Sequence, residues 1–234
     1  MWWAKPSLDE RLVATLDAGE RERLAAYRRS DDRARFVTGA TLVRSLYATE
    51  LGVEPAAVRL DRRCPECGGP HGKVRLSPEL SDVEVSVSHS GGWVVLAACR
   101  GYPVGVDVES VDRRIAHDDV AKVALSGTER RQLATVPAAL RPAAFIVYWV
   151  RKEAALKAVG HGLRIPMTDV EVSAPDEPPR ITSWRGRPDL AARLRLHDLA
   201  GDDGCRAAVA VVDAPSLPVV AATVERSPQP PYWK

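Results

Sequence analysis

The stretch GVDVES, residues 105–110, places two carboxylates on one face of a predicted strand. Its valines alternate with Gly105, Asp107 and Glu109, so the valines face one side of the strand and the acids face the other. Neighbouring carboxylates can supply oxygen ligands to a hard divalent cation such as Mg²⁺. Acids at the solvated edge of a sheet would give the same pattern, so the strand alone leaves both interpretations open.

A second cluster lies in WVRKEAALKAVGHGL, residues 149–163, whose pattern predicts a helix that ends at its glycines. Glu153 and Lys157 share one face of that helix, and Lys152 borders the face. Alone, Glu153 and Lys157 would form an ordinary surface ion pair worth ~0.3–0.5 kcal/mol. Together with the acids of the strand, they would add a third carboxylate and a cation that can contact phosphate.

Further polar residues lie upstream, at predicted turns and on predicted helices. VSVSHSGGW, residues 85–93, brings Ser88 and His89 to the end of a strand, and the motif HGK places Lys73 after a glycine that permits close backbone approach. Arg23 belongs to an arginine-rich stretch near the N-terminus. Three carboxylates together with these cations are the groups required to bind Mg²⁺ and a polyphosphate. Because neither serine lies in a GxSxG elbow, a serine hydrolase is disfavoured.

The composition is that of a globular chain of 234 residues, with 45% hydrophobic residues and a formal net charge of +2. This balance gives no overall basic field that would indicate nucleic acid or an anionic membrane surface as a partner. The apolar runs are too short to cross a bilayer, and MWWAKPSLDER lacks the basic start and apolar run of a signal peptide. We therefore expect no membrane association and a cytoplasmic protein.

The segment CPECGGPH offers three potential metal ligands, Cys64, Cys67 and His71. A closed structural zinc site uses four ligands, and no second CxxC supplies the fourth. We therefore favour a tight Pro/Gly turn over a zinc site, which remains the alternative.

The elements that must position these residues follow a repeated order. Periodicity predicts helices within 7–51, a block of short strands, helices within 115–159 and a second block of strands. This order predicts an α+β fold of two pseudo-symmetric halves, each helical with a small, mainly antiparallel sheet, with the active site at their junction. We place the halves at 1–104 and 105–226, followed by a flexible tail at 227–234.

Three motifs in this order and spacing carry a family resemblance: SVSHSGGW, then VGVDVES, then WVRKEAALK, supported upstream by HGK. With them the chain resembles the surfactin-synthetase-activating type of 4′-phosphopantetheinyl transferase over roughly residues 20–165. The resemblance implies an enzyme that moves the phosphopantetheine arm of coenzyme A, its co-substrate, to a serine of an apo-acyl or apo-peptidyl carrier protein. The same resemblance implies release of 3′,5′-ADP and Mg²⁺ as the cofactor.

The resemblance also implies which residues carry the reaction. Asp107, Glu109 and Glu153 match the magnesium ligands of the family. Glu153, Lys157 and His89 would be the catalytic residues. Lys157 and His89 would stabilise phosphate charge, and Glu153 would remove the serine proton either directly or through metal-bound water.

The coenzyme contacts implied by the resemblance are Arg23, Lys73, Ser88, His89, Lys152 and Lys157. Two positions depart from the family pattern. Val74 follows Lys73 where the family usually has proline, and Glu20 stands where the family has a basic residue on the second helix. Since a carboxylate cannot hold a phosphate, we expect Arg21 or Arg23 to make that contact instead.

Residues 112–127 correspond to the segment with which related enzymes contact the carrier protein. Arg113, Arg114 and Lys122 would attract an acidic carrier helix, and the apolar contacts would come from Ile115, Val120 and Val123. An ordinary amphipathic helix packed on the core would give the same pattern. We expect a monomer, because two halves can complete a site within one chain.

Two other functions remain open. A Mg²⁺-dependent nucleotide pyrophosphohydrolase would use the same acids to direct water, but the clustered glutamates of its helix are missing from RKEAALK. A noncatalytic carrier-binding module would not need three acids together with phosphate-binding cations.

Overall fold

The computed structural model of the protein describes residues 1–64, 67–69, 72–76, 79–111, 117–160, 165–201, 204–215, 219–220 and 222–224. The contacts divide the chain into two units. The first unit comprises Met1–Gly101 together with the last described strand, and the second unit is Tyr102–Leu217. The tail predicted at 227–234 lies outside the described residues.

The first unit combines helices with one mainly antiparallel sheet. Its elements are β1 (Trp2–Ala4), α1 (Glu10–Ala14), α2 (Ala18–Ala26), α3 (Ser30–Leu51), a 3₁₀ turn (Pro55–Ala57), β2 (Val83–Ser90), β3 (Trp93–Arg100) and β9 (Ala222–Val224). The strand order is β2-β3-β1-β9. Strand β3 pairs antiparallel with both β2 and β1, whereas β9 pairs parallel with β1.

Helix α3 packs the first unit because its apolar residues repeat at helical spacing. Phe36, Ala40, Val43 and Leu46 lie three or four positions apart, and all four are buried. The helix ends where the sequence predicts, since Gly52 adopts a left-handed conformation with φ 67° and caps it.

The second unit has the same composition of elements. They are β4 (Val104–Ser110), α4 (His117–Ala124), α5 (Gly127–Thr135), α6 (Arg141–Ala158), a 3₁₀ turn (Met167–Asp169), β5 (Val170–Val172), β6 (Ile181–Trp184), α7 (Pro188–Arg193), β7 (Leu194–Leu199) and β8 (Cys205–Val212). One antiparallel sheet has the order β4-β8-β7, and β5 pairs antiparallel with β6. The predicted α+β class, with helices and small antiparallel sheets in both halves, is confirmed.

Helix α6 covers one face of β4 at very short range. A Cβ atom added to Gly105 would lie 2.1 Å from the carbonyl oxygen of Ala154 and 2.3 Å from the amide nitrogen of Ala158. Only glycine permits this approach of strand and helix backbones. Because Asp107 and Glu109 lie on the same face of β4 as Gly105, the helix also determines their surroundings.

Within the described part of the chain, none of the helices combines the length and apolar character that spanning a membrane requires.

We expect Gly105→Ala to lower the free energy of unfolding by about 1–3 kcal/mol, because the added methyl group collides with the backbone of α6. Urea denaturation of both proteins measures the change. Gly204→Ala, in the same unit, is the matched control, since a Cβ there meets nothing within 4 Å, and its effect should stay within about 0.5 kcal/mol. Equal stabilities of Gly105→Ala and the wild type would contradict the close packing.

Candidate active site

The acidic cluster of the second unit lies between β4 and α6. The Nζ atom of Lys157 donates hydrogen bonds to Oδ1 of Asp107 at 2.6 Å and to the carbonyl oxygen of Val106 at 3.2 Å. Asp107 and Glu109 are 3% and 8% exposed, so both acids predicted as a strand pair are buried. The structure thus brings Asp107, from the strand motif, together with Lys157, from the helix motif.

Glu153 lies in the electrostatic field of the same residues. Burial raises the pKa of its carboxyl group, the negative charges of Asp107 and Glu109 raise it further, and Lys157 opposes the shift. The three carboxylates therefore repel one another in a partly dehydrated environment. Lys157 opposes this repulsion, and burial is the largest cause of the raised pKa of Glu153.

The chemistry of this donor set fits Mg²⁺, which prefers hard carboxylate oxygens. Among the described residues, however, no three His, Cys, Asp or Glu side chains are arranged as a ready cation site. Lys157 occupies one oxygen of Asp107. Metal ligation by Asp107, Glu109 and Glu153 therefore stays a prediction, and it requires these side chains to converge further.

The predicted coenzyme contacts Ser88 and His89 belong to the end of β2 in the first unit. Strand β2 pairs with β3 up to Ser90, opposite Trp93, and the chain reverses through Gly91, which has φ 54°. Ser88 is buried, whereas His89 is exposed. The tight turn predicted from SHSGGW is confirmed, and it places the imidazole at the end of the hairpin.

Lys73 is held beside the same strand. Its Nζ atom donates to Oε2 of Glu84, on β2, at 2.7 Å. A Cβ atom on Gly72 would lie 2.4 Å from the carbonyl oxygen of Arg63, so the glycine before the lysine does permit a close backbone approach.

Glu20, which departs from the family pattern, has an internal partner instead of a phosphate. It forms a capping box with Asp17 at the start of α2, and its carboxylate accepts from Nε of Arg44 at 2.7 Å and from Nη2 of Arg62 at 2.8 Å. Arg23 is exposed on the same helix, with its guanidinium 5.6 Å from the ring centroid of Phe36. Arg23 is therefore accessible to a ligand.

Lys152 is fully buried, unlike the other predicted coenzyme contacts. It donates to the carbonyl oxygens of Ala124 at 2.7 Å and Met167 at 3.0 Å, and to the carboxylate of Glu129. These bonds use the three donors of an ammonium group. The structure thus gives Lys152 three internal partners, and its contact with coenzyme A stays a prediction. Its partner Glu129 was not among the predicted site residues, although the capping box that it forms with Ser126 is readable in the sequence.

The two remaining predicted features fall partly outside the described residues. Cys64 and Gly68 lie in a turn closed by backbone hydrogen bonds, while His71 is not described, so the zinc alternative stays untested. In the predicted docking segment, residues 112–116 are likewise not described. In α4, Val123 is 70% exposed, and Lys122 forms a surface ion pair with Asp119 at 2.9 Å.

Two family models with related descriptions match this chain, one for each unit. The family model "4'-phosphopantetheinyl transferase, N-terminal" matches residues 1–101, and the model "4'-phosphopantetheinyl transferase superfamily" matches residues 103–210. The chain is 30% identical over 203 residues to the 4'-phosphopantetheinyl transferase HetI of Nostoc, covering 86% of this chain and 80% of the relative. It is 29% identical over 169 residues to a 4'-phosphopantetheinyl transferase of Bacillus subtilis, covering 72% and 71%.

Among solved structures, the holo-[acyl-carrier-protein] synthase of Thermotoga maritima is similar with a TM-score of 0.40 and 25% sequence identity. The similarity covers 47% of this chain and 62% of the synthase.

We expect Glu153→Gln to stabilise the metal-free protein at neutral pH. Because the pKa of Glu153 is raised in the folded state, this carboxyl favours folding while it is protonated and loses that contribution as the pH rises through the raised pKa. The stability gain of the variant should therefore be present at pH 7 and vanish near pH 4. Chemical denaturation in a chelator measures it.

Asp176→Asn is the control for this experiment, because Asp176 is an exposed carboxylate of the same unit. Its stability should follow that of the wild type at both pH values. A Glu153→Gln variant that is less stable than the wild type at pH 7 would contradict the raised pKa of Glu153.

Proposed function

Because the chain belongs to the 4′-phosphopantetheinyl transferase superfamily, we propose that it transfers the phosphopantetheine arm of coenzyme A to a serine of an apo-carrier protein. The other product is 3′,5′-ADP, and the reaction depends on Mg²⁺. The observation that carries this proposal is the placement of Asp107, Glu109, Glu153 and Lys157 around one contact between β4 and α6. Repelling carboxylates beside a lysine suit a cation and an anionic diphosphate.

Asp107, Glu109 and Glu153 would hold the magnesium ion through their oxygens. When bound, the ion supplies positive charge that stabilises the diphosphate and its transition state. The three carboxylates position that charge, and their mutual repulsion provides affinity for a cation.

Lys157 has two roles in this proposal. In the ligand-free protein it compensates the charge of Asp107. With coenzyme A bound, its Nζ atom donates to a phosphate oxygen of the leaving group and offsets the negative charge that develops there. Its side chain is 29% exposed, so a ligand can reach the amine.

Glu153 is suited to accept the proton of the carrier serine. Its carboxylate would remove the proton from the serine oxygen as that oxygen attacks phosphorus. The attack displaces 3′,5′-ADP, so the oxygen–phosphorus bond to the serine forms as the bond to the leaving phosphate breaks.

Residues of the first unit would supply further contacts with coenzyme A. Arg23, Lys73 and His89 would bind its phosphates, and Ser88 would contact the nucleotide. Arg23 and His89 are exposed, and Lys73 would exchange Glu84 for a phosphate oxygen. Three further predictions from the sequence remain. They are an active site at the junction of the two halves, a cytoplasmic location and a monomeric state.

The transfer reaction is tested by incubating the protein with coenzyme A, Mg²⁺ and an apo-carrier. We expect mass spectrometry to show one phosphopantetheine added to the carrier. Asp107→Asn should reduce the rate about 100-fold or more, because a ligand of the cation is lost, while Asp176→Asn should retain wild-type activity.

Cleavage of coenzyme A without modification of any carrier in a panel of acyl and peptidyl carriers would indicate a pyrophosphohydrolase. Binding of carrier with coenzyme A left intact would indicate a noncatalytic module. Either result would overturn the proposal.

Carrier docking by residues 112–127 is tested by charge reversal. We expect Arg113→Glu, Arg114→Glu and Lys122→Glu to raise the KM for the carrier by roughly 3- to 10-fold each, since positive charges at an interface rim mainly steer association. The KM for coenzyme A should not change. Arg185→Glu is the control, because Arg185 is 81% exposed in the same unit but outside the segment. Equal effects on both KM values would contradict docking at this segment.

A further inference from the structure

Helix α6 carries two consecutive buried cations directly before Glu153. Arg151 is fully buried and binds the carboxylate of Asp198, on β7, through Nε at 2.9 Å and Nη2 at 2.6 Å. Its Nη1 atom donates to the carbonyl oxygens of Ser173 and Ala174, both at 2.8 Å. Arg151 therefore attaches α6 to β7 and to the chain that follows β5.

Lys152 attaches the same helix in a different direction. Its hydrogen bonds end on Ala124, the last residue of α4, on Met167 and on Glu129 of α5. Glu129 is itself 1% exposed and accepts from backbone N–H groups before α5 and in β5. Lys152 and Glu129 thus form a closed buried pair in which every donor of the lysine has an acceptor.

These two attachments constrain the direction in which Glu153 points from the helix axis. Successive residues of an α-helix point about 100° apart around its axis. With Arg151 and Lys152 both attached, the helix cannot rotate without breaking charged hydrogen bonds on two sides, so the direction of the next residue is determined. Lys157 follows Glu153 by about one turn and shares its face.

Packing also constrains this rotation. Tyr148, Val150 and Leu156 of α6 are buried, and Gly105 lets β4 approach the helix backbone closely. The two buried cations add charged attachments in fixed directions. Buried charges are also costly, and apolar residues of similar volume often give equal stability, so stability alone does not account for consecutive buried cations here.

We propose that Arg151 and Lys152 are positioning residues that hold α6 at the rotation at which Glu153 and Lys157 face Asp107. This inference rests on the proposed function. It assigns Lys152 a role through Glu153, without contact with coenzyme A.

The first test compares Lys152→Met and Glu129→Leu with the double variant. Each single change leaves a buried charge without its partner, and we expect the unfolding midpoint to fall. The double variant removes both charges but leaves backbone groups of Ala124, Met167 and Val172 without these partners, so the midpoint should recover only in part. Its affinity for Mn²⁺, measured by electron paramagnetic resonance in the presence of coenzyme A, should nevertheless remain about 10-fold weaker, with a lower kcat.

A second measurement separates positioning from direct contact. The affinity for 3′,5′-ADP in a chelator, measured by calorimetry, should be the same in the double variant and the wild type. Arg193→Met combined with Asp213→Asn is the matched control, since it removes a surface ion pair of the same unit and should leave Mn²⁺ affinity unchanged.

Asp198→Asn provides the same information if the core variants do not fold. Asp198 is 42% exposed, so the variant is expected to fold, and its weakened attachment of Arg151 should lower Mn²⁺ affinity and kcat. If the refolded double variant or Asp198→Asn keeps the Mn²⁺ affinity and kcat of the wild type, the positioning role is overturned. The proposed function is not affected by that result. Weaker binding of 3′,5′-ADP would overturn it in favour of direct contact. Failure of the wild type to bind Mn²⁺ and to transfer the arm would instead overturn the proposed function.

Discussion

The contact between Gly105 and the backbone of α6 is the constraint on which the site depends. A strand that carries any larger residue at this point could not approach the helix so closely, since a Cβ would lie 2.1 Å from a carbonyl oxygen. Only at this distance does Lys157 reach both Asp107 and the strand backbone. The glycine of GVDVES is thus as much a part of the site as its two acids.

The same contact creates a cluster that is unfavourable by itself. Asp107 and Glu109 are buried, and both raise the pKa of Glu153. Lys157 relieves part of this repulsion, and a bound cation would relieve more. The protein stabilises the cluster from the rest of the second unit, where Arg151 and Lys152 attach the helix to its neighbours through saturated hydrogen bonds. The hydrogen bonds of Arg151 and Lys152, which are not predicted metal ligands, therefore support the acidic cluster.

The sequence predicted the local parts of this arrangement. Alternation in GVDVES assigns the two acids to one face, helical spacing places Glu153 and Lys157 on one face of a helix, and the predicted limit of the first helical region at residue 51 is the end of α3. Long-range partners were not predictable in this way. The burial of Lys152 depends on α4, α5 and the turn at Met167, and Glu20 is buried by arginines more than twenty residues away in sequence. Motif spacing does not reveal which side of a helix the rest of the unit will cover.

Calorimetry of coenzyme A binding with and without Mg²⁺ tests the central claim most directly. If Asp107, Glu109 and Glu153 form a cation site, coenzyme A should bind the wild type more tightly with Mg²⁺ than in a chelator, and Glu109→Gln should lose most of that difference. Coenzyme A binding of equal strength in both conditions would contradict the account.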